Sequence, residues 1–236
     1  MHTTYNVIRH TPDQKWYTGR SAALSHDASK SNPEILLPPS GPKPSPTEPI
    51  AVVGIGCRLP GGVSNTDQLW QLLLHGRRGL RTLPSDRWDH ERFYSEAQGE
   101  QGKYYIDQGG FLEQDVFAFE PEAFGITEAE AIGLDPMHRL LLEVHRDAIE
   151  HAAIPTADLE ETRTGVYVGM AHSEHKVQVH AQGASAIDVY TGTGNTSSTA
   201  CGRIAYWLGT RGPTWAVDTA CSSSLVAVHQ AMQDLR

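Results

Sequence analysis

Apolar runs of strand length alternate with helical patterns from residue 50 onward, and this order restricts the chain to few folds. The runs IAVVGIG, TGVYVGM and TWAVD occupy residues 50–56, 164–170 and 214–218. Each run is short and apolar, and each predicts a strand of a buried sheet. Strands that alternate with helices predict an α/β fold with a central sheet.

Four helical patterns accompany these runs. The clearest begins at Asp135, a good N-cap residue, has Pro136 in its first turn and ends before Pro155. Its apolar positions follow helical spacing: Met137, Leu140, Leu141, Val144, Ala148 and Ala152. A shorter helix follows Asn65 or Thr66, carries Leu69, Trp70, Leu72 and Leu73, and stops at Gly76. Two more are predicted over residues 196–209, closed by Gly209, and 222–236, with Leu225, Val226, Val228 and Met232 partly inward.

The first 48 residues differ from the rest of the chain. They are polar, lack a sustained period and end in SNPEILLPPSGPKPSPTE, where proline and serine dominate. Such a segment buries too little surface to offset its ordering entropy, so residues 1–48 are predicted to be a flexible, disordered tail or linker. Residues 49–236 are predicted to be the folded domain. Arg236 stands within a helical pattern that has no stop signal, which predicts a truncated domain.

Charge and composition exclude several classes of protein. The net charge of −9 argues against nucleic-acid binding, which needs clustered Lys and Arg. No apolar run approaches the roughly 18 residues of a membrane span, and the N-terminus lacks the apolar core of a signal peptide. We therefore expect a cytoplasmic protein that binds neither nucleic acid nor membranes. Three scattered cysteines are too few for a disulfide framework.

Glycines and histidines suggest two further kinds of site, and both patterns are incomplete. Gly54 and Gly56 follow a predicted strand, but Leu59 occupies the third position of a dinucleotide-binding fingerprint. His172 and His175 have metal-ligand spacing without further ligands nearby, so no metal is expected. The spacing of His138, His145 and His151 along one helix is interpreted as a solvated face.

Cys221, in VDTACSSSL, has four candidate roles: buried filler, disulfide partner, metal ligand or nucleophile. It lies between a predicted strand and a predicted helix, where unpaired backbone N–H groups favour a thiolate and can hold an oxyanion. The small neighbours, Ala220, Ser222 and Ser223, leave room for a carbonyl group to approach the sulfur. Cys57, in a glycine turn, and Cys201, inside a predicted helix, lack this setting, so the role of nucleophile is favoured for Cys221.

A nucleophilic cysteine needs partners that move protons and stabilise charge. The nearest histidine along the chain, His229, stands eight residues farther on, about 12 Å down a helix. It is therefore not expected to reach the sulfur of Cys221.

Five segments together resemble the N-terminal half of a β-ketoacyl synthase domain, in particular the ketosynthase of type I polyketide synthases. They are EPIAVVGIGCRLPGG, LDPMHRLLLEV, YTGTGNTSS, GRIAYWLGTRGP and VDTACSSSL. The resemblance covers residues 49–236. It implies a thiolase-like fold of αβαβα layers, of which this chain supplies the N-terminal half, and a homodimer in the intact domain.

The resemblance also implies a chemistry. Cys221 would accept an acyl chain as a thioester before condensation with a decarboxylating, malonyl-type extender. Both acyl groups would arrive on the phosphopantetheine of an acyl carrier protein, so no cofactor is expected in this chain, and other synthase domains are expected partners. The two histidines and the lysine that assist this family belong to its C-terminal half, so no second catalytic residue is assigned here.

The sequence departs from the family pattern at Met137, where Gln is common, and at Arg146, where Trp is common. The presence of Cys221 disfavours the non-elongating relatives. Because the C-terminal half is missing, we expect no complete catalysis by this chain alone, and association through uncovered apolar faces. The alternatives are a non-catalytic binding or scaffolding module and a gene fragment.

Overall fold

The computed structural model describes residues 49–87, 89–171 and 173–236, and the predicted tail, residues 1–48, lies outside them. The described residues form short helices and strands joined by turns. In chain order they are α1 (Thr66–Leu74), β1 (Arg81–Thr82), α2 (His90–Phe93), β2 (Gln108–Gly109), α3 (Glu128–Ile132), α4 (Pro136–His151), β3 (Val166–Gly169), α5 (His175–Ala181), α6 (Val189–Thr193), α7 (Ser197–Trp207), β4 (Thr214–Val217) and α8 (Ser223–Asp234). None of these helices is long and apolar enough to cross a bilayer.

Strands β3 and β4 pair in parallel, from Val166 opposite Thr214 to Gly169 opposite Val217. Both were predicted from their apolar runs, and both predictions are confirmed. Parallel neighbours need a long crossover, and here α5, α6 and α7 lie between the two strands in the sequence. Strands β1 and β2 form a separate antiparallel pair, with Arg81 opposite Gly109.

The two faces of the β3–β4 sheet are covered by different helices. Val166 and Val168 point into the main core, together with apolar residues of α4 and α7 such as Leu142 and Ile204. The other two residues of β3, Tyr167 and Gly169, face α8, because side chains alternate between the two faces of a strand. Tyr167 Oη donates a hydrogen bond to Asp234 Oδ2 of α8 at 2.5 Å. The sheet therefore lies between α8 on one face and α4 with α7 on the other.

The predicted helix boundaries follow local capping signals. Asp135 Oδ1 accepts a hydrogen bond from the Met137 N–H at 2.7 Å and caps α4. Asn65 caps α1 in the same way, by accepting from the Gln68 N–H at 2.9 Å. Gly209, with φ of +63°, follows the end of α7, as its sequence position predicted.

The strand predicted at residues 50–56 does not form within the described part of the chain, and that prediction is wrong. The segment lies instead along α4, and the Ile55 N–H donates to His151 Nδ1 at 3.1 Å. A Cβ at Gly54 would lie 2.1 Å from the Ala148 carbonyl oxygen, and one at Gly56 would lie 2.2 Å from that of Val144. The two glycines thus serve a close approach to a helix.

Helix α8 forms as predicted, but its inward face differs from the prediction. Leu225 is 72% exposed and does not pack inward, whereas Val226 is 36% exposed and is partly covered. The buried positions are the small residues Ser223, Ala227 and Ala231. Large side chains would hold the helix away from the sheet, whereas this stripe lets the two backbones approach closely. Val228 and Met232 are half-buried, as predicted.

The interpretation of the α4 histidines as a solvated face is wrong for two of them. His138 and His145 are 1% and 2% exposed, and only His151 is exposed. His145 Nδ1 lies 2.7 Å from the Leu141 carbonyl oxygen, within hydrogen-bonding distance. Burial lowers the pKa of both His138 and His145 to about 4, because the charged imidazolium is poorly solvated there.

Candidate active site

Cys221 lies in a single 3-10 turn, Ala220–Ser222, between the end of β4 and the start of α8. Cys221 is an exposed residue, and all three cysteines of the chain are free thiols. The predicted junction between strand and helix is therefore present, with one added turn before α8. Cys221 is therefore reachable from solvent.

Hydroxyl groups of the flanking residues hold this turn in place. The Thr219 N–H donates to Ser223 Oγ at 2.9 Å, and Ser223 Oγ donates to the Ala220 carbonyl oxygen at 2.7 Å. Ser222 Oγ donates to the Thr219 carbonyl oxygen at 2.9 Å. These serines were noted in the sequence only for their small size. In the structure their hydroxyls fix the backbone on both sides of Cys221.

Ala220 has a φ of +54°, in the left-handed region that costs a residue other than glycine about 1–2 kcal/mol. Its N–H donates to Asp218 Oδ1 at 3.0 Å, which supports the bend. Strain of this kind persists only where the surrounding structure holds it. The residue before Cys221 is thus forced into a sharp turn that no spacing in the sequence revealed.

Gly169 sets the distance between the sheet and the start of α8. A Cβ at this position would lie 2.6 Å from Ser223 C and 2.6 Å from Ser224 N, closer than real Cβ atoms approach. Since Ser223 is two residues from Cys221, any side chain on Gly169 would displace the turn that carries the sulfur. Sequence reasoning missed this close approach, which fixes where the turn lies relative to β3.

The other two cysteines have a different environment. Cys57 is 6% exposed and Cys201 is 2% exposed. Burial raises the pKa of both thiols, which disfavours their thiolates. Cys201 Sγ lies 3.0 Å from the Ser198 carbonyl oxygen, to which it donates. The structure therefore agrees with treating these two as packing residues.

His229 is an exposed residue of α8, as its position in the sequence indicated. The helix is continuous from Ser223 onward, which keeps His229 about 9 Å along the axis from Ser223. Of the histidines with metal-ligand spacing, His172 lies outside the described residues. Within residues 49–87, 89–171 and 173–236, no group of three His, Cys, Asp or Glu residues is placed to hold a metal ion.

An apolar cavity of about 360 Å³ opens at the carboxyl end of β3. Ligands of α/β proteins commonly bind at this edge of the sheet. Since β3 and β4 are parallel, the turn with Cys221 follows the same edge, and Met170 N donates to the Val217 carbonyl oxygen at 3.1 Å there. The lining residues are mostly apolar: Arg58, Leu59, Pro60, Leu80, Gly110, Leu112, Met137, Leu140, Leu141, Val144, Gly169 and Met170.

A buried polar network joins the N-terminus of α4 to the turn before α7. Asp135, 2% exposed, accepts a short hydrogen bond from Ser173 Oγ, and its own N–H donates to the Gly194 carbonyl oxygen at 2.9 Å. Asn195 Nδ2 donates to the carbonyl oxygens of Gly133 at 3.0 Å and Thr191 at 2.9 Å. The segments LDPMHRLLLEV and YTGTGNTSS, far apart in the sequence, therefore meet at one place.

Comparisons with a family profile, with curated proteins and with solved structures all indicate the same family. The profile of the β-ketoacyl synthase N-terminal domain matches residues 47–236. The chain is 50% identical over 189 residues to a phenolphthiocerol/phthiocerol polyketide synthase of Mycobacterium tuberculosis, a match that covers 80% of this chain and 10% of that protein. It is 48% identical over 191 residues to erythronolide synthase EryA2 of Saccharopolyspora erythraea, a match that covers 80% of this chain and 5% of that one.

Solved structures agree with these sequence matches. The oxazolomycin ketosynthase domain OzmH KS7 of Streptomyces albus JA3453 superposes with a TM-score of 0.69 at 33% identity, over 78% of this chain and 32% of that one. The ketosynthase from module 6 of the bacillaene synthase of Bacillus subtilis 168 gives a TM-score of 0.64 at 34% identity, over 76% of this chain and 28% of that one.

The chain therefore belongs to the β-ketoacyl synthase family, and its fold is thiolase-like. Its relatives are ketosynthases of polyketide synthases, and both the resemblance and the fold predicted from the sequence are confirmed. The chain spans about a tenth of the length of the first curated relative and about a third of the solved ketosynthase chain.

Proposed function

We propose that this protein provides the acyl-accepting cysteine of a polyketide synthase ketosynthase, and that Cys221 holds the acyl chain as a thioester. The observation that carries the proposal is the setting of Cys221: exposed, in a strained turn held by Thr219 and Ser223, directly before α8. The burial of Cys57 and Cys201 supports the same choice.

In the acylation step the thiolate of Cys221 attacks the carbonyl carbon of a donor thioester. A carbon–sulfur bond forms to Cys221 and the donor's carbon–sulfur bond breaks, so the donor leaves as a thiol that takes up the proton lost by Cys221. The backbone N–H of Cys221 is the proposed donor to the oxyanion, because the N–H groups of Ser222 and Ser223 already donate to the carbonyl oxygens of Thr219 and Ala220. The proposed donor is the phosphopantetheine thioester of an acyl carrier protein.

In the condensation step a carrier-bound malonyl-type extender loses CO₂, and its carbanion attacks the acyl carbon on Cys221. The thiolate of Cys221 departs, and the β-ketoacyl product remains on the carrier. We assign no described residue to the decarboxylation. We propose that the assisting histidines and lysine come from the remainder of a ketosynthase, which acts as a homodimer beside other synthase domains.

The cavity beside the carboxyl end of β3 is the proposed place for the acyl chain. It shares the sheet edge with Cys221, and its walls include Leu112, Leu140 and Met170. Apolar walls favour an aliphatic chain, because burying an unpaired hydroxyl costs about 1–3 kcal/mol.

Acyl transfer from an octanoyl thioester separates this function from a non-catalytic binding or scaffolding role. We expect the wild-type chain to gain one octanoyl mass, and the Cys221→Ala variant to gain none. A folded wild-type chain that gains no acyl group would favour the scaffolding role.

A further inference from the structure

The turn that carries Cys221 uses nearly all of its backbone N–H groups internally. Four of them already donate hydrogen bonds, those of Thr219, Ala220, Ser222 and Ser223. Among the residues that the structure describes, the Cys221 N–H has no acceptor. It is therefore the one N–H of this turn that can serve a bound molecule, and its direction matters.

The carbonyl group of Ala220 sets the direction of the Cys221 N–H. A peptide bond is planar, and in its trans form the C=O and the N–H point in opposite directions. The described part of the chain has no cis peptide bond, so this rule applies to the bond between Ala220 and Cys221. Any group that holds the Ala220 carbonyl oxygen therefore also aims the Cys221 N–H.

Ser223 holds this carbonyl oxygen with two groups. Its hydroxyl donates to the Ala220 carbonyl oxygen at 2.7 Å, and its backbone N–H donates to the same atom. The hydroxyl oxygen also accepts from the Thr219 N–H at 2.9 Å. The Ser223 hydroxyl is thus fixed between two backbone groups that precede Cys221.

Ser223 is itself firmly placed. It is 5% exposed, and it lies so close to β3 that a Cβ on Gly169 would be 2.6 Å from Ser223 C. Ala220, by contrast, has a strained φ of +54°, and strain persists only where surrounding groups hold it. Loss of the Ser223 hydroxyl would therefore let the Ala220–Cys221 peptide turn away from its present direction.

We propose that Ser223 is a positioning residue for acyl transfer, and that it aims the Cys221 N–H at the oxygen of the reacting carbonyl group. In that step the Cys221 sulfur bonds to the carbonyl carbon, and an electron pair of the C=O bond moves to the oxygen. The double bond re-forms when the donor thiolate leaves. An N–H stabilises the transient charge only where it points at that oxygen. This inference rests on the proposed function and adds to it the side chain that orients the oxyanion donor.

The test compares Ser223→Ala with Ser224→Ala on the full chain. Both variants remove one hydroxyl from the first turn of α8, but the Ser224 side chain forms no hydrogen bond with any residue that the structure describes. A third variant, Ser223→Ala with Ala220→Gly, separates aim from stability. Glycine adopts a positive φ without strain, so it should restore Tm, but it restores no hydroxyl to the carbonyl oxygen.

Three reactions of Cys221 are measured. The first is octanoyl transfer from a small octanoyl thioester. The second is reversible addition to octanal, in which the sulfur bonds to the aldehyde carbon and the thiol proton goes to the oxygen; its Kd is measured by carbon NMR. The third is alkylation by iodoacetamide, in which the sulfur displaces iodide and no charge develops on a carbonyl oxygen.

We expect Ser223→Ala to slow octanoyl transfer at least about tenfold and to raise the Kd of octanal about tenfold, because removal of a whole oxyanion donor costs about 10²–10³ in rate. Alkylation needs only an accessible thiolate and should stay within about twofold. Ser224→Ala should stay within about twofold of wild type in all three reactions. The double variant should regain the wild-type Tm, measured by circular dichroism, and remain slow in transfer.

The positioning role is overturned if Ser223→Ala matches Ser224→Ala in transfer and in octanal binding. It is also overturned if alkylation falls as much as transfer, or if the double variant regains transfer together with Tm. A wild-type chain that binds no octanal at Cys221 has the same consequence. If octanal binding weakens only in the two Ser223 variants while the wild-type chain transfers no octanoyl group, the proposed function fails and the positioning role stands.

Discussion

Gly169→Ala is expected to disturb both the stability of the fold and the position of the nucleophile. The added Cβ would lie 2.6 Å from backbone atoms of Ser223 and Ser224, and backbone has no flexible end that can move aside. Overpacking of this kind typically costs about 1–3 kcal/mol. For a domain of this size each kcal/mol lowers Tm by about 2–4 °C.

The same substitution should separate two reactions of Cys221. Acyl transfer needs the sulfur of Cys221 to be aligned with the carbonyl carbon of a bound thioester. A misplacement of about 1 Å can lower the rate on the order of a hundredfold. Alkylation by iodoacetamide needs only an accessible thiolate. We therefore expect Gly169→Ala to slow octanoyl transfer at least about tenfold and to leave alkylation within about twofold.

Gly202→Ala is the matched control. Gly202 lies within α7, and a Cβ there would meet no atom within 4 Å. Alanine should stabilise that helix by about 0.5–1 kcal/mol, the opposite sign. Thermal unfolding followed by circular dichroism measures both variants. If Gly169→Ala unfolds at or above the wild-type Tm and transfers octanoyl at the wild-type rate, the argument from close approach is wrong.

Three further predictions follow from other contacts. Tyr167→Phe should lower the free energy of unfolding by about 1 kcal/mol in urea titrations, because Asp234 Oδ2 loses the hydrogen bond from Tyr167; an unchanged midpoint would contradict this. Because burial lowers the pKa of His138 and His145 to about 4, the unfolded chain binds more protons between about pH 6.5 and 4. Stability should therefore fall as pH falls through that window, and the fall should be smaller in His138→Leu. Met170→Trp should slow transfer of octanoyl but not acetyl groups, and equal slowing would argue against the cavity as the acyl site.

Local signals explain most of what the sequence predicted. Asp135 caps α4 through its own side chain, three residues or fewer from its partner, so the motif is visible in a short window. The strands β3 and β4 and the turn at Gly209 also follow from neighbouring residues. The strand-to-helix setting of Cys221 was predicted for the same reason, because it is a local pattern.

The errors concern contacts between distant segments. Gly54 and Gly56 serve close approach to Ala148 and Val144, about ninety residues away, and no local pattern distinguishes this from a strand. Which face of α8 is buried depended on the closeness of Gly169, so Leu225 was placed inward although it is exposed.

The sequence also did not predict which histidines of α4 are buried or which residue beside Cys221 has a strained backbone. His138 and His145 share a helical face with apolar residues. Only the packing of α4 against the core shows that this face is buried from solvent. The left-handed φ of Ala220 and the hydrogen bonds of Ser223 depend on three-dimensional geometry, and the residue types alanine and serine do not predict either of them.

Peptide mapping of the acylated protein tests the central claim most directly. The chain is incubated with octanoyl-carrier, unfolded under acid conditions that preserve thioesters, digested and analysed by mass spectrometry. We predict a single thioester adduct on Cys221, with Cys57 and Cys201 unmodified, because only Cys221 is exposed. An adduct on Cys57 or Cys201, or an acylated Cys221→Ala variant, would contradict the account.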